Sequence, residues 1–398
     1  MIENKQIVVG VTGGIAAYKA AELARLLVLE GANVHVAMTE HAVRFIGPLT
    51  FEAITGTKVI THMFSDDDVV MDHISWGQES DLLVIAPATA NFLAKMAHGI
   101  ADDFLCTMVV AATAPILVCP AMNNKMYESP SVQENLRILT KRGVHIMEPA
   151  EGALACKASG RGRLPEPTDI LDEIKGILTQ KDLDRLKVLV TAGPTVEPLD
   201  PVRFISNRSS GKMGYAIART ARHRGGEVTL VSGPTSLRRP RGVEVVAVKT
   251  AEEMRKEVLA RAASHDVVIM CAAVADYRPK KSQTHKIKKQ DAGLQLELEK
   301  SPDILKELGE RRGEMPRILV GFAAETQDLI DNAKEKLEKK NLDMIVINDV
   351  SRSDAGFEVD TNQVKILYRD GAVEELPLLS KDEVAHHILD RVRDILAG

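Results

Sequence analysis

Gln6-Ile-Val-Val-Gly-Val-Thr-Gly-Gly14 leads into a helix-like run and then into Asn33-Val-His-Val-Ala-Met-Thr39, and the fold turns on this stretch. An apolar run of strand length ends in a loop of small residues, a helix follows, and a second strand comes after it. In the helix Ala16, Ala20, Leu23 and Leu27 recur at helical spacing. Lys19, Glu22 and Glu30 fall among the intervening positions, and Gly31 stops the run. The same pattern returns as Lys187-Val-Leu-Val-Thr-Ala-Gly-Pro194, a helix-like run, and Glu227-Val-Thr-Leu-Val-Ser-Gly233. Each copy reads as the opening of a parallel α/β sheet. The fold class expected is therefore α/β, with two Rossmann-like parallel-sheet domains.

Working outward, Leu82–Ala86, Ile116–Val118, Val267–Met270, Ile318–Val320 and Met344–Ile347 are uniformly apolar, as parallel strands buried on both faces should be. Capping boxes at Thr250 with Glu253 and Ser380 with Glu383 mark helix starts. Ser301–Pro302 reads as a further cap with proline in the first turn, and Asp370–Gly371 as a hairpin. The polar segment Thr179–Arg185 separates the two halves, which sets domains at 1–182 and 183–398. A chain of 398 residues is too long for one small core, which agrees with two domains.

Composition excludes several classes. With a net charge of −5 and a pI near 6.2, the chain does not read as a nucleic-acid binder. The longest uncharged stretch, Leu105–Asn124, contains Pro115 and Pro120 and reads as a helix end, a turn and one buried strand, so no membrane span is expected. No signal peptide is expected either. Cys106, Cys119, Cys156 and Cys271 are far apart and form no C-x-x-C pair, which points away from a zinc cluster or disulfide framework and toward a reducing, cytoplasmic location.

Candidate sites follow from the strand ends. Thr12-Gly-Gly-Ile-Ala-Ala17 lets phosphate oxygens approach backbone N–H groups at a helix start, although a tight turn without a ligand would look the same. Ala86-Pro-Ala-Thr-Ala-Asn91 and Pro120-Ala-Met-Asn-Asn-Lys-Met-Tyr127 follow other strands, so three loops would form one crevice. In the second half, the long connection Thr191–Gly214 ends in Ser210-Gly-Lys-Met-Gly214. This is not a Walker A loop, because Ser206 stands at its first glycine and Met213 at its Ser/Thr. Cys271-Ala-Ala-Val-Ala-Asp-Tyr277 with Lys286-Ile-Lys-Lys289 offers an acid for ribose or metal and lysines for a triphosphate. Alone, the lysine run reads equally as a solvated face.

Val11–Lys19, Ala86–Asn91, Pro120–Tyr127 and Asp72-His-Ile74 together resemble the homo-oligomeric flavin-containing cysteine decarboxylases, most closely those acting on phosphopantothenoylcysteine with FMN. The resemblance implies a flavodoxin-like first domain. In it Gly13, Gly14 and Thr39 would hold the FMN phosphate, Ile15, Ala88, Thr89 and Asn91 would lie near the flavin, and His73, Met122 and Asn123 would meet the substrate. Cys156 would be the proton donor. Lys157–Ala158 departs from the Gly–Asp usual there, and a cation beside the thiol should favour thiolate.

The strings Thr191–Gly214, Cys271–Tyr277, Val320-Gly-Phe-Ala-Ala-Glu-Thr326 and Lys340-Asn-Leu-Asp343 resemble the phosphopantothenate–cysteine ligases. That resemblance implies Arg203 and Asn207 at the pantothenate substrate, and Asp276 and Phe322 at the nucleotide. Lys286, Lys336 and Lys340 would face the phosphates. It also implies CTP as co-substrate with Mg2+ (no metal ligands are assigned), small-molecule partners only, and a homo-oligomer of decarboxylase trimers and ligase dimers, up to a dodecamer. Alternatives are a flavin-binding regulatory protein, a fusion with only the ligase half active, and an NAD-dependent dehydrogenase. Neither glycine loop carries the spacing and ribose-binding acid that the dehydrogenase requires.

Overall fold

In the computed structural model two compact units, Met1–Thr179 and Gln180–Gly398, divide the chain. The structure describes residues 2–63, 72–153, 159–288, 294–314, 317–325, 329–349 and 359–397.

In the first unit β1 (Gln6–Val11), β2 (Asn33–Met38), β3 (Leu82–Ala88), β4 (Ile116–Pro120) and β5 (His145–Ile146) form one sheet in the order β2-β1-β3-β4-β5. All four pairings are parallel. This is the flavodoxin-type order, with its switch point between β1 and β3. Successive residues enter opposite cores, since side chains alternate along a strand. Val9 and Val84 pack with Ala20, Leu23, Leu27 and Ile170 on one face. Val8, Leu83 and Ile85 pack with Phe92, Leu93, Leu105 and Leu136 on the other. Each such large side chain contributes roughly 1.5–3 kcal/mol when buried. The uncharged stretch resolves as expected, into the helix Phe104–Ala111 and then β4. A separate antiparallel pair, β6 (Ala150–Ala153) and β7 (Ser159–Arg163), follows.

The second unit contains β8 (Lys187–Ala192), β9 (Val196–Pro198), β10 (Phe204–Ser206), β11 (Glu227–Ser232), β12 (Glu244–Ala247) and β13 (Val267–Met270). These are followed by β14 (Tyr277–Pro279), β15 (Leu298–Lys300), β16 (Ile318–Glu325) and β17 (Met344–Asp349). The last strands are β18 (Thr361–Asn362), β19 (Val364–Tyr368), β20 (Val373–Glu375) and β21 (Leu379–Ser380). The main sheet runs β12-β11-β8-β13-β16-β17-β19-β20. Its first six strands are parallel in the Rossmann 3-2-1-4-5-6 order, and the hairpin at Asp370–Gly371 adds two antiparallel strands. The switch point lies between β8 and β13. Residues just after Thr179 belong to this unit: Asp182 accepts from Arg224 Nε and Nη2 at 2.8 and 2.7 Å.

Both predicted helix starts are capped. Ser380 exchanges bonds with Glu383 as a full capping box. Thr250 accepts from Glu253 N at 3.1 Å, whereas the Glu253 carboxylate accepts from Lys249 N at 2.6 Å, one residue before the cap. A third helix start differs from expectation. The helix Ile304–Glu310 is capped by Asp303, which accepts from Lys306 N at 3.0 Å, and not by Ser301. Ser301 N is bound instead to Asp276 O at 2.8 Å, which continues the β14–β15 ladder past its last pair and delays the helix.

Candidate functional site

In the first unit the predicted loops converge at the switch point. Thr12, 1% exposed, donates through Oγ1 to Pro87 O at 2.7 Å and accepts from Thr89 N at 3.0 Å. Ala121 N donates to Ala88 O at 3.0 Å. These bonds lace the loops after β1, β3 and β4 together around a cleft of about 570 Å³. Gly13, Gly14, Ile15, Thr89, Met122 and Asn123 line it. Asn123 accepts from Lys125 N at 2.8 Å, which fixes its carboxamide at the start of a short helix. The helix Ala17–Leu29 begins at Ala16 with no side-chain cap and no acidic residue in its first turn, so its N–H groups suit an anion. A Cβ on Gly13 would lie 2.4 Å from His41 Cβ, so the loop's close approach requires glycine there.

Other predicted residues stand apart from this cleft. Ala88 is fully buried, Asn91 is exposed on the helix Ala90–His98, and Thr39 caps Glu40–Val43 by accepting from Ala42 N at 3.3 Å. None of the three is among the lining residues. His73 packs edge-on against Phe104, ring centroids 6.4 Å apart, beside Trp76, and it does not line the cleft either. Cys156, with Lys157 and Ala158, lies outside the described residues.

The prediction missed the far wall. Gly162 O accepts from Met122 N at 3.0 Å, so β7 rests against the Asn123 loop. Lys19 lines the cleft and pairs with Glu166 at 2.9 Å. The Ser-Gly-Arg-Gly-Arg run that forms β7 was the available signal.

In the second unit two adjoining clefts open at the carboxyl ends of the strands. The first, about 460 Å³, is lined by Asp276, Phe322, Lys336 and Lys340, four of the predicted nucleotide residues. Ser301 and Asp303 join them, and Lys340 Nζ lies 3.0 Å from Asp303. The second, about 440 Å³, is lined by Asn207, the loop Ser209–Gly211, Cys271, Asn348, Asn362 and Lys381. Ala272, Val274 and Phe322 line both, and Asn207 Nδ2 donates to Val274 O at 3.0 Å on that shared wall. Burial pushes the Cys271 thiol up to about 12, so it stays protonated at neutral pH and is a poor nucleophile.

Arg203 and Lys286 lie in neither cleft. Arg203 Nη2 donates to Ile287 O at 2.9 Å, and Lys286 lines a surface recess with Leu199 and His285. Asp200 ties these pieces together. Its carboxylate accepts from Val202 N at 2.7 Å, Arg203 N at 2.8 Å and Ile287 N at 3.0 Å. Burial acts to raise the Asp200 pKa, but these backbone donors outweigh it and hold the carboxyl below its usual range.

Residues 1–179 match the family described as Flavoprotein, and residues 183–396 match the DNA/pantothenate metabolism flavoprotein C-terminal domain. Coenzyme A biosynthesis bifunctional protein CoaBC of Bacillus subtilis (strain 168) is 49% identical over 98% of this chain and 97% of its own. The chain belongs to this bifunctional coenzyme A biosynthesis family. The Escherichia coli (strain K12) member is 44% identical over 98% of this chain and 97% of its own. A solved C-terminal domain of a CoaBC protein is 46% identical, covers 55% of this chain and 99% of its own, and has a TM-score of 0.47. The family has two activities on one chain in coenzyme A biosynthesis, in keeping with two units that each carry a cleft at a switch point. Among the described residues no helix is long and apolar enough to cross a membrane.

Proposed function

We propose that residues 183–398 ligate 4'-phosphopantothenate to cysteine using CTP, and that residues 1–182 decarboxylate the product with FMN to give 4'-phosphopantetheine. The reading is carried by the grouping of Asp276, Phe322, Lys336 and Lys340 in one cleft that shares a wall with the cleft of Asn207.

In the ligase half, the substrate carboxylate would attack the α-phosphorus of CTP. The new P–O bond forms as the bond to the β-phosphate breaks, and pyrophosphate leaves with the electron pair. Lys336, Lys340 and Lys286 would offset charge growing on the leaving phosphates, with Mg2+ arriving on the triphosphate. Cysteine's amine then attacks the acyl carbon, CMP leaves, and the amide forms. Asn207 would hold the acyl oxygen at the shared wall, and Arg203 would serve the same substrate.

In the decarboxylase half, the residues present fit FMN. The open N-terminus of the helix Ala17–Leu29 and the Gly13–Gly14 turn suit its phosphate, and Ile15 and Thr89 suit the ring. Thr39, Ala88 and Asn91 do not line this cleft, so the proposed flavin shell rests on Gly13, Gly14, Ile15 and Thr89, with Met122 on the substrate side. When bound, the flavin would supply reversible two-electron oxidation at the cysteine thiol carbon, which gives the carboxyl group an adjacent electron sink. Asn123 would hold the departing carboxylate, its carboxamide fixed by Lys125 N. His73 would move a proton at the thiol, and Cys156 would donate one to the carbon left after CO2 is lost. A cytoplasmic location and assembly into trimers and dimers, up to a dodecamer, belong to the same proposal.

The test is incubation of the purified protein with phosphopantothenate, cysteine, Mg2+ and either CTP or ATP, with products identified by mass spectrometry. Phosphopantetheine with CMP supports both halves. Phosphopantothenoylcysteine alone supports the ligase and points to Lys157–Ala158 beside Cys156. No product with either nucleotide rejects the ligase and favours a flavin-binding regulatory protein.

A further inference from the structure

A further recess in the second unit takes no part in the chemistry above. It measures about 490 Å³ and shares no lining residue with the clefts of Asp276 and Asn207. It opens just past the end of β11, the second strand of the Rossmann order, on the side toward β12. In sheets of this order a bound dinucleotide rests its ribose near that strand end.

The residue types there argue against a plain ribose. A carboxylate would be needed to accept from its hydroxyls, yet no acid occurs between Glu227 and Glu244. Arg238, Arg239 and Arg241 occur instead. Arg239 and Lys249 line the recess, and neither side chain forms an ion pair among the described residues. Glu253, the acid of the lining, accepts from Lys249 N at 2.6 Å. Arginine at this position is the residue type that accommodates a phosphate carried on the ribose.

The recess is ordered by its own contacts. Thr235 accepts from Leu237 N at 2.8 Å at the start of the arginine turn. Gly242, with φ at 66°, closes the turn against the helix Lys212–His223, where a Cβ would stand 2.9 Å from Arg222 Nε. The floor is equally constrained. A Cβ on Gly233 would lie 1.8 Å from Pro194 O, and Val248 N donates to Ser232 O at 2.9 Å. Ser232 Oγ donates to Gly233 O at 2.8 Å, so the Tyr215 hydroxyl, 3.1 Å from it, donates to Ser232. The Tyr215 oxygen can still accept, from a ribose hydroxyl or an exocyclic amine. Leu237, Val245 and Val248 supply apolar surface for a base.

We propose that this recess binds a nucleotide whose ribose carries a phosphate monoester. Arg239 and Lys249 hold that phosphate, and Tyr215 and Leu237 meet the nucleoside. The site is separate from the CTP cleft and does not depend on the ligase reading.

The experiment is calorimetric titration of the full-length protein in excess CTP and Mg2+. The probes are adenosine 2',5'-bisphosphate and adenosine 3',5'-bisphosphate, which distinguish the two ribose positions. Adenosine 5'-monophosphate and inorganic phosphate are the references. At least one bisphosphate should bind saturably and about tenfold or more tighter than the monophosphate, as one charge-assisted contact gives. In Arg239→Gln that advantage should largely disappear, while affinity for the monophosphate stays within about twofold. Lys249→Gln carries the same comparison if R239Q does not melt like wild type; both side chains are exposed. Lys340→Gln, a change in the CTP cleft, should leave bisphosphate binding unaltered. Failure of both bisphosphates to bind overturns the proposal. So does binding that weakens in K340Q, which places the probe in the CTP cleft. Equal affinity for inorganic phosphate also overturns it, because the recess would then be an unspecific anion patch.

Discussion

Gly162 is the residue whose replacement should separate the two activities. A Cβ there would stand 2.2 Å from Met122 O and 3.3 Å from Asn124 N, so the loop carrying Asn123 must move. Those contacts are backbone and cannot swing aside as a flexible side chain would. Gly162→Ala is expected to lower the decarboxylation rate at least tenfold, a misplacement effect of the size seen when reacting groups shift by an ångström. Ligation should continue, so phosphopantothenoylcysteine should accumulate in the coupled assay. Normal phosphopantetheine output would show that the loop tolerates the shift. The Ser-Gly-Arg-Gly-Arg run draws notice to this glycine in the sequence, but the carbonyl that requires it, Met122 O, lies forty residues earlier and is met only in the fold. Gly13 is different. It sits in the loop of small residues that already marked the site, and the structure adds only the reason, its approach to His41.

At the scale of elements, the turn after β9 and the segment carrying Lys286 act as one piece through Asp200. Asp200→Ala removes the carboxylate that accepts from Val202 N, Arg203 N and Ile287 N together, so the two segments lose their common anchor. Ligase kcat/KM for CTP should drop roughly tenfold or more while decarboxylation of supplied phosphopantothenoylcysteine is unchanged. Loss of both rates would mean general unfolding. The C-terminal hairpin offers a pH test. Glu374 on β20 accepts from Arg391 Nε and Nη2 at 2.8 and 2.6 Å and from Tyr368 Oη at 2.6 Å. The Arg391 bond leads in bringing its pKa from 4.5 to about 2. The folded state prefers this group ionised, so its contribution is full above pH 4.5 and is lost as pH falls toward 2. With partial exposure the contribution is on the order of 1 kcal/mol. Arg391→Met should lower Tm at neutral pH and flatten its decline between these pH values. A parallel, unflattened decline would put the acid sensitivity elsewhere.

At the scale of the whole molecule, His73 and Asn123 pose the main question. Asn123 lines the flavin-type cleft, whereas His73 packs on Phe104 away from it. If both serve one reaction, a homo-oligomer with the two residues contributed by different copies is the simplest arrangement. Co-expression of His73→Asn with Asn123→Asp should then restore decarboxylation that neither variant has alone. A mixed assembly that stays inactive would reject a site shared between copies, and a His73→Asn variant that is active alone would remove His73 from the reaction. The exposed Ile15, Tyr18 and Leu49 are apolar surface in the same unit that an oligomer could cover.

Much of this protein was determined by sequence alone. The repeated strand–loop–helix–strand pattern set two parallel sheets, because strand and helix periods are local properties of neighbouring residues. Loops at the carboxyl ends of apolar strands marked the clefts for the same reason, since parallel strands bring their ends to one edge. The expectation that Asp276, Phe322, Lys336 and Lys340 serve one nucleotide site came instead from the resemblance to the phosphopantothenate–cysteine ligases. The tertiary structure alone decided that Asn362 and Lys381 enter the Asn207 cleft, that Lys212 meets Asp360 across 148 residues, and that His73 does not face Asn123. Such meetings depend on strand order and on how the last helix packs. No short-range pattern encodes them, because the hydrophobic contacts that enforce them are spread over the whole core.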